Sequence, residues 1–242
     1  MTFPPTEISR DLHSSLEDFA KKCDFETLYK EYSWRADTWQ NGFPDILRLE
    51  TRIANAARNN LVRKSDILAV AEWGSLRNTK RIECPSTLTL PLYENGRPDK
   101  RIEADPLTSL RILQAKTAGL GPTGLSKVLR FALPSEYGVI DTRIVRMMGV
   151  GDAISKRESW LSLRARNDGY GWYIPKNQSA WPREYSKWIN ILRFFSRLLN
   201  DSGRPCPHPE AFSRNGLRTR GIWVCADVEM ALFSYASKFY ST

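Results

Sequence analysis

The sequence predicts a mainly α-helical protein, and two observations lead to that prediction. Apolar residues recur at every third or fourth position in several segments, which is the period of a helix with one buried face. Alternation of apolar and polar residues, which would indicate a strand, occurs in one short stretch. A chain of 242 residues with 41% hydrophobic content can bury a sizeable core in one or two domains, and we expect a single compact unit over 1–242.

The N-terminal third is predicted to be helical. Two apolar faces at helical spacing are formed by Ile8, Leu12, Leu16 and Phe19, and by Ile46, Leu49, Ile53, Ala56 and Ala57. Ser65 has the hydroxyl of a good N-cap. A third helix is therefore expected from Asp66 to Trp73, ending near Gly74.

Residues 86–104 interrupt the helical pattern. The stretch from Thr87 to Leu92 alternates like a short strand, and the stretch from Glu94 to Pro98 has the composition of a turn. A small β-hairpin and an ordered loop both fit this segment, and the sequence leaves the two open.

Residues 107–132 are predicted to form two helices joined by a tight turn. Asp105 suits the N-cap of the first helix and Pro106 its first helical position. The face of this helix is marked by Leu107, Leu110, Leu113 and Thr117. The turn follows at 118–122, where two glycines permit a sharp change of direction and a close approach to the backbone.

The C-terminal part has a mixed pattern. Residues 149–180 are predicted to be loops around one short helix, and residues 201–221 a linker. A helix from about Arg183 is predicted by the spacing of Trp188, Ile191, Leu192, Phe195 and Leu199. A last helix from about Asp227 is predicted by Val228, Ala231, Leu232, Tyr235 and Phe239.

Two strings in the sequence carry a family resemblance. They read Ala118-Gly119-Leu120-Gly121 and Val139-Ile140-Asp141-Thr142-Arg143-Ile144-Val145-Arg146-Met147. Together they resemble the helix-hairpin-helix, Gly/Pro, Asp superfamily of DNA base-excision glycosylases, and the interval from Gly119 to Asp141 is similar to that of endonuclease III. The resemblance implies two helical lobes flanking a DNA-binding cleft, a helix-hairpin-helix over 107–132 and a catalytic segment over 139–148.

The implied function is excision of a damaged or modified base from double-stranded DNA. The base would be flipped out of the duplex and its N-glycosidic bond hydrolysed. Ionised Asp141 would stabilise the oxocarbenium-like transition state and orient a water molecule. The candidates for contact with DNA are Gly119, Leu120, Gly121, Thr123, Gly124, Lys127, Arg130, Arg143 and Arg146. Eight tryptophans could receive the base, although each is more often a core residue: Trp34, Trp39, Trp73, Trp160, Trp172, Trp181, Trp188 and Trp223.

Several positions depart from the family pattern. Thr123 stands where bifunctional members carry the lysine that attacks the sugar, which predicts a monofunctional enzyme. The chain resembles the 8-oxoguanine and 3-methyladenine branches, and its Gly-Leu-Gly-Pro string is similar to the monofunctional 3-methyladenine branch. Lys127 lies one helical turn after Thr123, so a bifunctional glycosylase and lyase that uses Lys127 is an alternative. A DNA-backbone or solvent role is the commoner expectation for Lys127. Arg143 stands where many members have His.

The small residues at the end of the turn lead to a hypothesis about the substrate. Thr123 and Gly124 predict a roomy mouth, which would admit an oxidised, alkylated or bulky hypermodified base. A hypermodified base of the kind found in phage DNA would make the protein a genome-defence enzyme rather than a repair enzyme.

The cysteines indicate no cofactor. The chain has four, at Cys23, Cys84, Cys206 and Cys225, without a CxxC pair, so reduced structural thiols are expected. Only two follow the motif, which excludes the four-cysteine iron–sulfur cluster of endonuclease III. Zinc binding by Cys206, His208 and Cys225 would be weakly supported, and we predict no metal.

The charge distribution favours a polyanionic partner. The net charge is +9, and residues 142–242 hold 16 Lys and Arg against 8 Asp and Glu. A basic C-terminal lobe over 142–242 is expected to gain non-specific DNA affinity by displacing counterions from phosphates. A solvated basic surface that maintains solubility is the alternative explanation.

The sequence predicts a monomer in the cytoplasm, associated with the nucleoid when bound to DNA. The first residues, MTFPPTEISRD, lack the apolar stretch of a signal peptide, and no apolar run reaches the length of a membrane span. Two other functions remain open. One is a catalytically inactive helix-hairpin-helix module that only binds DNA, and the other is a helical interaction protein with a basic surface.

Overall fold

The computed structural model describes residues 8–76, 79–150 and 158–240. In this part of the chain the protein is mainly helical, with 52% of residues in eleven α-helices and only small antiparallel sheets. This confirms the predicted fold class. Of the helices in the described ranges, none combines the length and the apolar composition needed to cross a membrane.

The helices follow one another along the chain with short strands between them. They are α1 (Arg10–Lys22), α2 (Phe25–Lys30), α3 (Pro44–Ala57), α4 (Lys64–Trp73), α5 (Lys100–Ala104), α6 (Leu107–Lys116), α7 (Pro122–Ala132), α8 (Thr142–Met148), α9 (Arg183–Asp201), α10 (Glu210–Arg214) and α11 (Cys225–Ser237). The strands are β1 (Ser33–Trp34), β2 (Asp37–Thr38), β3 (Leu61–Arg63), β4 (Thr87–Thr89), β5 (Tyr93–Glu94), β6 (Arg97–Pro98), β7 (Arg166–Asn167) and β8 (Trp172–Tyr173). They pair as β1–β2, β3–β4, β5–β6 and β7–β8, all antiparallel.

The predicted N-terminal helices are present, but the N-cap predicted for the third of them is wrong. Helix α3 buries the apolar face expected for it, and α1 buries Leu12, Leu16 and Phe19 of its expected face. The prediction that Ile8 belongs to that face is wrong, because α1 begins at Arg10. Helix α4 begins at Lys64, so Ser65 lies inside its first turn and is not the N-cap. The reason is that β3 runs directly into α4, and the Lys64 N–H donates to the Ser86 carbonyl (2.9 Å).

The segment 86–104 contains both a strand and a hairpin. Strand β4 pairs with β3 from the preceding part of the chain, which the local sequence could not indicate. The small hairpin is β5–β6, closed by Asn95 and Gly96, both at positive φ (51° and 75°) as a tight hairpin turn requires.

The prediction of a short helix within 149–180 is wrong for the residues described there. Residues 158–180 instead carry the β7–β8 hairpin, and residues 151–157 lie outside the described ranges. The linker 201–221 holds the short helix α10. Helix α11 starts at Cys225, two residues before the predicted Asp227, whose carboxylate accepts the Val224 N–H (3.2 Å).

The buried apolar side chains form one contiguous core. Helix α11 packs against α2, α8 and α9, and α7 packs against α3, α4 and α6. Five of the tryptophans considered for the base pocket are buried core residues: Trp73, Trp160, Trp181, Trp188 and Trp223. Helix α7, which follows the glycine turn, and helix α8, which Asp141 begins, are therefore both fixed by packing on other helices.

A buried ionic cluster crosses this core. Glu50 of α3 accepts hydrogen bonds from Arg130 (2.5 Å) and Arg218 (2.8 Å). Arg218 also donates to Asp227 (3.1 Å), which contacts His208 (2.8 Å). These side chains are almost fully buried, and their charges are paired as burial requires. The cluster ties α3, α7 and α11 to the segment around α10.

Candidate functional site

A pocket of about 470 Å³ brings both sequence strings together. Its lining includes Gly119, Gly121, Thr123 and Gly124 from the turn and the start of α7, and Asp141 at the start of α8. Trp34 and the tip of the β7–β8 hairpin complete the wall. The volume lies in the range of small-molecule and nucleobase sites.

Gly119 is required by the geometry of the turn. Its φ is +78°, in the left-handed region that favours glycine. A Cβ at Gly119 would lie 2.4 Å from the Arg81 carbonyl oxygen, because the neighbouring Ala118 pairs with Glu83. The turn therefore rests against the chain that precedes β4.

Gly121 has an ordinary backbone conformation. Its φ is −90° and its ψ −179°, so the turn does not use the conformational freedom that glycine permits at this position. Open space surrounds the position of a Cβ there. Its carbonyl accepts the first helical bond of α7, from the Leu125 N–H (3.0 Å). Gly121 thus offers an unobstructed backbone surface beside the pocket.

The first turn of α7 points a helix N-terminus at the pocket. The Thr123 and Gly124 amides precede the first helical hydrogen bond, so they have no acceptor within the helix. The helix dipole adds partial positive charge at this end. Amides and dipole together favour an anion such as a phosphate.

The space beside Gly124 is filled, contrary to the expected roomy mouth. A Cβ at Gly124 would lie 2.9 Å from Leu76 Cδ1 and 3.0 Å from Leu120 Cδ2. The Leu120 side chain is buried, so any contact from Leu120 to a partner would come from its backbone. The room in the pocket lies instead between Trp34, Asp141 and the β7–β8 hairpin.

Asp141 is the N-cap of α8 and is held in place from two sides. Its Oδ1 accepts the Arg143 N–H (2.9 Å). The preceding Ile140 N–H donates to the Ser126 hydroxyl of α7 (3.1 Å), and Trp188 donates to the Val139 carbonyl (2.9 Å). The half-buried carboxyl group thus has a fixed position in the pocket wall.

Lys127 lies inside the pocket wall rather than on the surface. Its side chain is 5% exposed, and its Nζ donates to the Gly74 carbonyl (3.3 Å). The Nζ also lies 4.9 Å from the ring centre of Trp34 and 5.0 Å from that of Trp73. The expected DNA-backbone or solvent role is wrong because the ammonium group is buried under these rings.

The environment of Lys127 changes its basicity. Burial lowers the pKa of Lys127, since the charged form is poorly solvated, while the charges of Asp141 and Glu229 oppose that effect. A buried amine with a lowered pKa and an adjacent carboxylate is an arrangement found at reactive lysines. Lys127 and Asp141 line the same pocket.

Glu229 is a functional candidate that the sequence analysis missed. Burial raises its pKa to about 8, and the charge of Arg130 only partly offsets this. With Lys127 and Asp141 it lines a small cavity next to the main pocket. The signal available in the sequence was the position of Glu229 directly before the apolar stretch 230–233 of α11. A charged residue in a helix that is buried on all faces needs partners.

The three predicted arginine contacts have different environments. Arg130 is 1% exposed and paired with Glu50, so its predicted contact with a phosphate is wrong. Arg143 lines the pocket, with its guanidinium 4.9 Å from the ring centre of Phe233. The Arg146 guanidinium lies between the rings of Trp172 (3.9 Å) and Tyr240 (4.2 Å).

The β7–β8 hairpin is the second feature that the sequence analysis missed. Its tip, 168–171, and its second strand line the pocket on the side facing Asp141. The signal was the string Asn167-Asp168-Gly169-Tyr170-Gly171, in which turn residues are flanked by aromatic residues. Trp34 and Trp172 are accordingly the tryptophans in the pocket lining.

Cys206, His208 and Asp227 are close enough together to hold a metal ion. Both oxygens of Asp227 are already engaged, with Arg218 at 3.1 and 3.2 Å and His208 at 2.8 Å from Oδ2. A cation there would compete with the Arg218 guanidinium, so the geometry favours a structural ion-pair cluster. The four cysteines are free thiols.

The comparisons with known proteins do not extend this picture. A scan against protein-family models, a search of curated proteins and a search of solved structures give no match to the chain.

Proposed function

We propose that the protein is a DNA glycosylase that flips a damaged or modified base out of double-stranded DNA and hydrolyses its N-glycosidic bond. The observation that carries this proposal is the shared pocket of Asp141 and the α7 N-terminus. A carboxylate stabilises a cationic sugar, and a helix N-terminus binds a phosphate. A nucleotide offers both groups to one site.

The turn 117–121 and helices α6 and α7 would act as a helix-hairpin-helix. The left-handed Gly119 and the unobstructed Gly121 leave the backbone open to a DNA strand. The Thr123 and Gly124 amides would then donate to a phosphate oxygen. This contact would fix the position of the strand relative to Asp141 without reading its sequence.

Asp141 would act on the flipped nucleotide. Departure of the base leaves positive charge on the sugar, and a fixed carboxylate beside it lowers the barrier electrostatically. The same carboxylate would orient the water that completes hydrolysis. Its hydrogen bond to the Arg143 N–H and the contact of Ile140 with Ser126 keep it in place before the substrate arrives.

The pocket supports a substrate larger than an unmodified base. A volume of about 470 Å³ leaves room for an oxidised, alkylated or bulky hypermodified base. Trp34 and Trp172 offer aromatic faces for stacking. A role in genome defence rather than repair would follow if the preferred base is a hypermodified one.

Lys127 supports a second candidate, a bifunctional glycosylase and lyase. Its buried amine has a lowered pKa and lies in the pocket with Asp141. The neutral amine could attack C1′ as the N-glycosidic bond to the base breaks, and opening of the C1′–O4′ bond of the sugar would then give an imine, which Thr123 cannot form. Borohydride trapping discriminates the two mechanisms, since only an imine gives a covalent protein–DNA adduct that Lys127→Ala loses.

An excision assay tests the proposed activity. The substrates are duplexes that carry 8-oxoguanine, a 3-methyladenine-type lesion, uracil, or modified cytosines including glucosylated forms. Base release with strand cleavage only after alkali would support the monofunctional enzyme. Cleavage without alkali would support the Lys127 mechanism. Binding of DNA without release from any substrate would favour the inactive helix-hairpin-helix module.

A further inference from the structure

Tyr170 is an aromatic residue with almost no contact to its own protein. Its side chain is 88% exposed, more than any other large hydrophobic residue in the described part of the chain. It belongs to the tip of the β7–β8 hairpin, at the mouth of the pocket that contains Asp141. A ring exposed at the edge of a site is available to stack on a partner.

The hairpin tip that carries Tyr170 is ordered by its own hydrogen bonds. The Tyr170 and Gly171 N–H groups donate to Asp168 Oδ1 (3.0 and 3.1 Å), and the Gly169 N–H donates to Asn167 Oδ1 (2.8 Å). Gly169 and Gly171 have φ values of +84° and +142°, which glycine adopts readily. The tip therefore presents Tyr170 in a defined conformation.

The hairpin is also fixed to the helix that Asp141 begins. The Arg146 guanidinium of α8 lies 3.9 Å from the ring centre of Trp172 of β8 and 4.2 Å from that of Tyr240. Asp141 caps the same helix, five residues before Arg146. Because one helix holds both groups, the distance between Tyr170 and Asp141 is set by the protein before DNA binds.

The surroundings of Tyr170 favour a nucleic acid as its partner. Exposed basic residues, Arg166 on β7 and Lys176 after β8, flank the hairpin, and Tyr173 adds a second partly exposed ring. Basic and aromatic side chains alternating on one surface are typical of contacts with phosphates and bases. An apolar protein partner would not need the arginine and lysine.

We propose that Tyr170 inserts into the DNA duplex beside the flipped nucleotide and stacks on a neighbouring base. The inference rests on the proposed function, since a gap in the base stack exists only when a nucleotide has left it. Intercalating side chains in other DNA-binding proteins kink or hold open the duplex in this way. Tyr170 would thus hold the nucleotide in the pocket by occupying the space it vacates.

A binding experiment tests Tyr170 independently of base release. The probe is a duplex with a tetrahydrofuran abasic-site analogue and 2-aminopurine as the neighbouring base. Wild type and Tyr170→Phe should bind it alike and quench the 2-aminopurine fluorescence through ring stacking. Tyr170→Ala should bind about tenfold more weakly and leave the probe bright. Phe239→Ala removes an aromatic that is 45% exposed but outside the pocket lining, and should behave as wild type.

The outcomes separate this inference from the proposed function. Equal affinity and equal quenching by Tyr170→Ala and wild type would overturn the insertion of Tyr170. Tyr170-dependent binding and quenching without base release from any substrate would support the insertion while contradicting the proposed chemistry. Equal melting temperatures of the variants, expected for a side chain so exposed, exclude misfolding as the cause of a loss.

Discussion

At the scale of residues, the candidate site combines three titratable side chains in adjoining cavities. Asp141 has a fixed position as the cap of α8, and Lys127 is buried beneath Trp34 and Trp73. Glu229 is buried and lines the smaller, adjoining cavity together with Asp141 and Lys127. Burial shifts the pKa of Lys127 down and that of Glu229 up, so it favours the neutral form of each. Asp141, unlike Glu229, lines the main pocket and is the carboxyl group that a substrate there would meet.

The raised pKa of Glu229 predicts a pH-dependent stability. Its ordinary value is 4.5 and its value in the folded protein about 8. Between these values the folded protein binds more protons than the unfolded chain, so the free energy of unfolding falls as pH rises from about 5 to about 8. Glu229→Gln should remove that part of the fall, on the order of a few kcal/mol.

Denaturant unfolding at several pH values measures this effect. Glu103→Gln, which removes an exposed carboxyl group on α5, is the matched control and should leave the pH profile unchanged. Parallel profiles for wild type and Glu229→Gln would contradict the assignment.

At this scale the sequence identifies Asp141 but not its neighbours. The string around Asp141 is local, so its position at a helix start could be inferred from residues beside it. The burial of Lys127 could not be inferred, because the rings that cover it, Trp34 and Trp73, are distant in the sequence. Arg130 was misjudged for the same reason, since its partner Glu50 lies on α3.

At the scale of elements, the unit that matters is α6, the turn 117–121 and α7. Two glycines in that turn have different physical roles. Gly119 has a left-handed backbone and no room for a side chain, whereas Gly121 has an ordinary backbone and open space. The first supports the fold of the turn, and the second keeps the backbone accessible.

A pair of alanine substitutions separates these roles. Gly119→Ala should destabilise the protein by about 2–4 kcal/mol, because the new methyl group meets the Arg81 carbonyl and φ is positive. Gly121→Ala should change stability by less than about 0.5 kcal/mol. It should nevertheless weaken DNA binding, because its methyl group stands where a strand would approach.

Thermal unfolding and DNA titration of both variants measure the two effects. Unchanged DNA affinity in a stably folded Gly121→Ala would contradict a backbone contact at the turn. A stable Gly119→Ala would contradict the described turn geometry.

Elements defined by local pattern were predicted, and those defined by distant pairing were not. Helices α1, α3 and α9 follow from their apolar spacing, since each buries one face. The alternation over 87–92 indicated a short strand but left an ordered loop open, and the partner strand β3 could not be inferred. The β7–β8 hairpin was missed because its strands have two residues each and its turn resembles a loop.

At the scale of the whole molecule, the protein is a helical structure with an excess of basic residues. The net charge of +9 arises mostly after residue 141, in the part that forms α8, the β7–β8 hairpin and α9 to α11. Part of this charge is buried, as in Arg218, and part is exposed, as in Arg166. Only the exposed part can contribute to binding of a polyanion.

The exposed charge predicts salt-dependent binding to undamaged duplex DNA. Contacts with phosphates release counterions, so affinity should fall by at least about tenfold from about 50 mM to about 200 mM salt. Arg166→Gln should reduce the slope of log affinity against log salt by about 1. Fluorescence anisotropy gives these slopes. Salt-independent binding, or an unchanged slope in the variant, would contradict a phosphate contact at the hairpin.

The central claim is that Asp141 performs the chemistry of base excision, and one comparison tests it most directly. Wild type and Asp141→Asn are assayed for single-turnover base release on the best substrate of the excision panel, together with their affinity for the same duplex. The account predicts that release falls by at least about a hundredfold while DNA affinity is retained, because asparagine keeps the cap but loses the negative charge. Release by Asp141→Asn at the wild-type rate would contradict it.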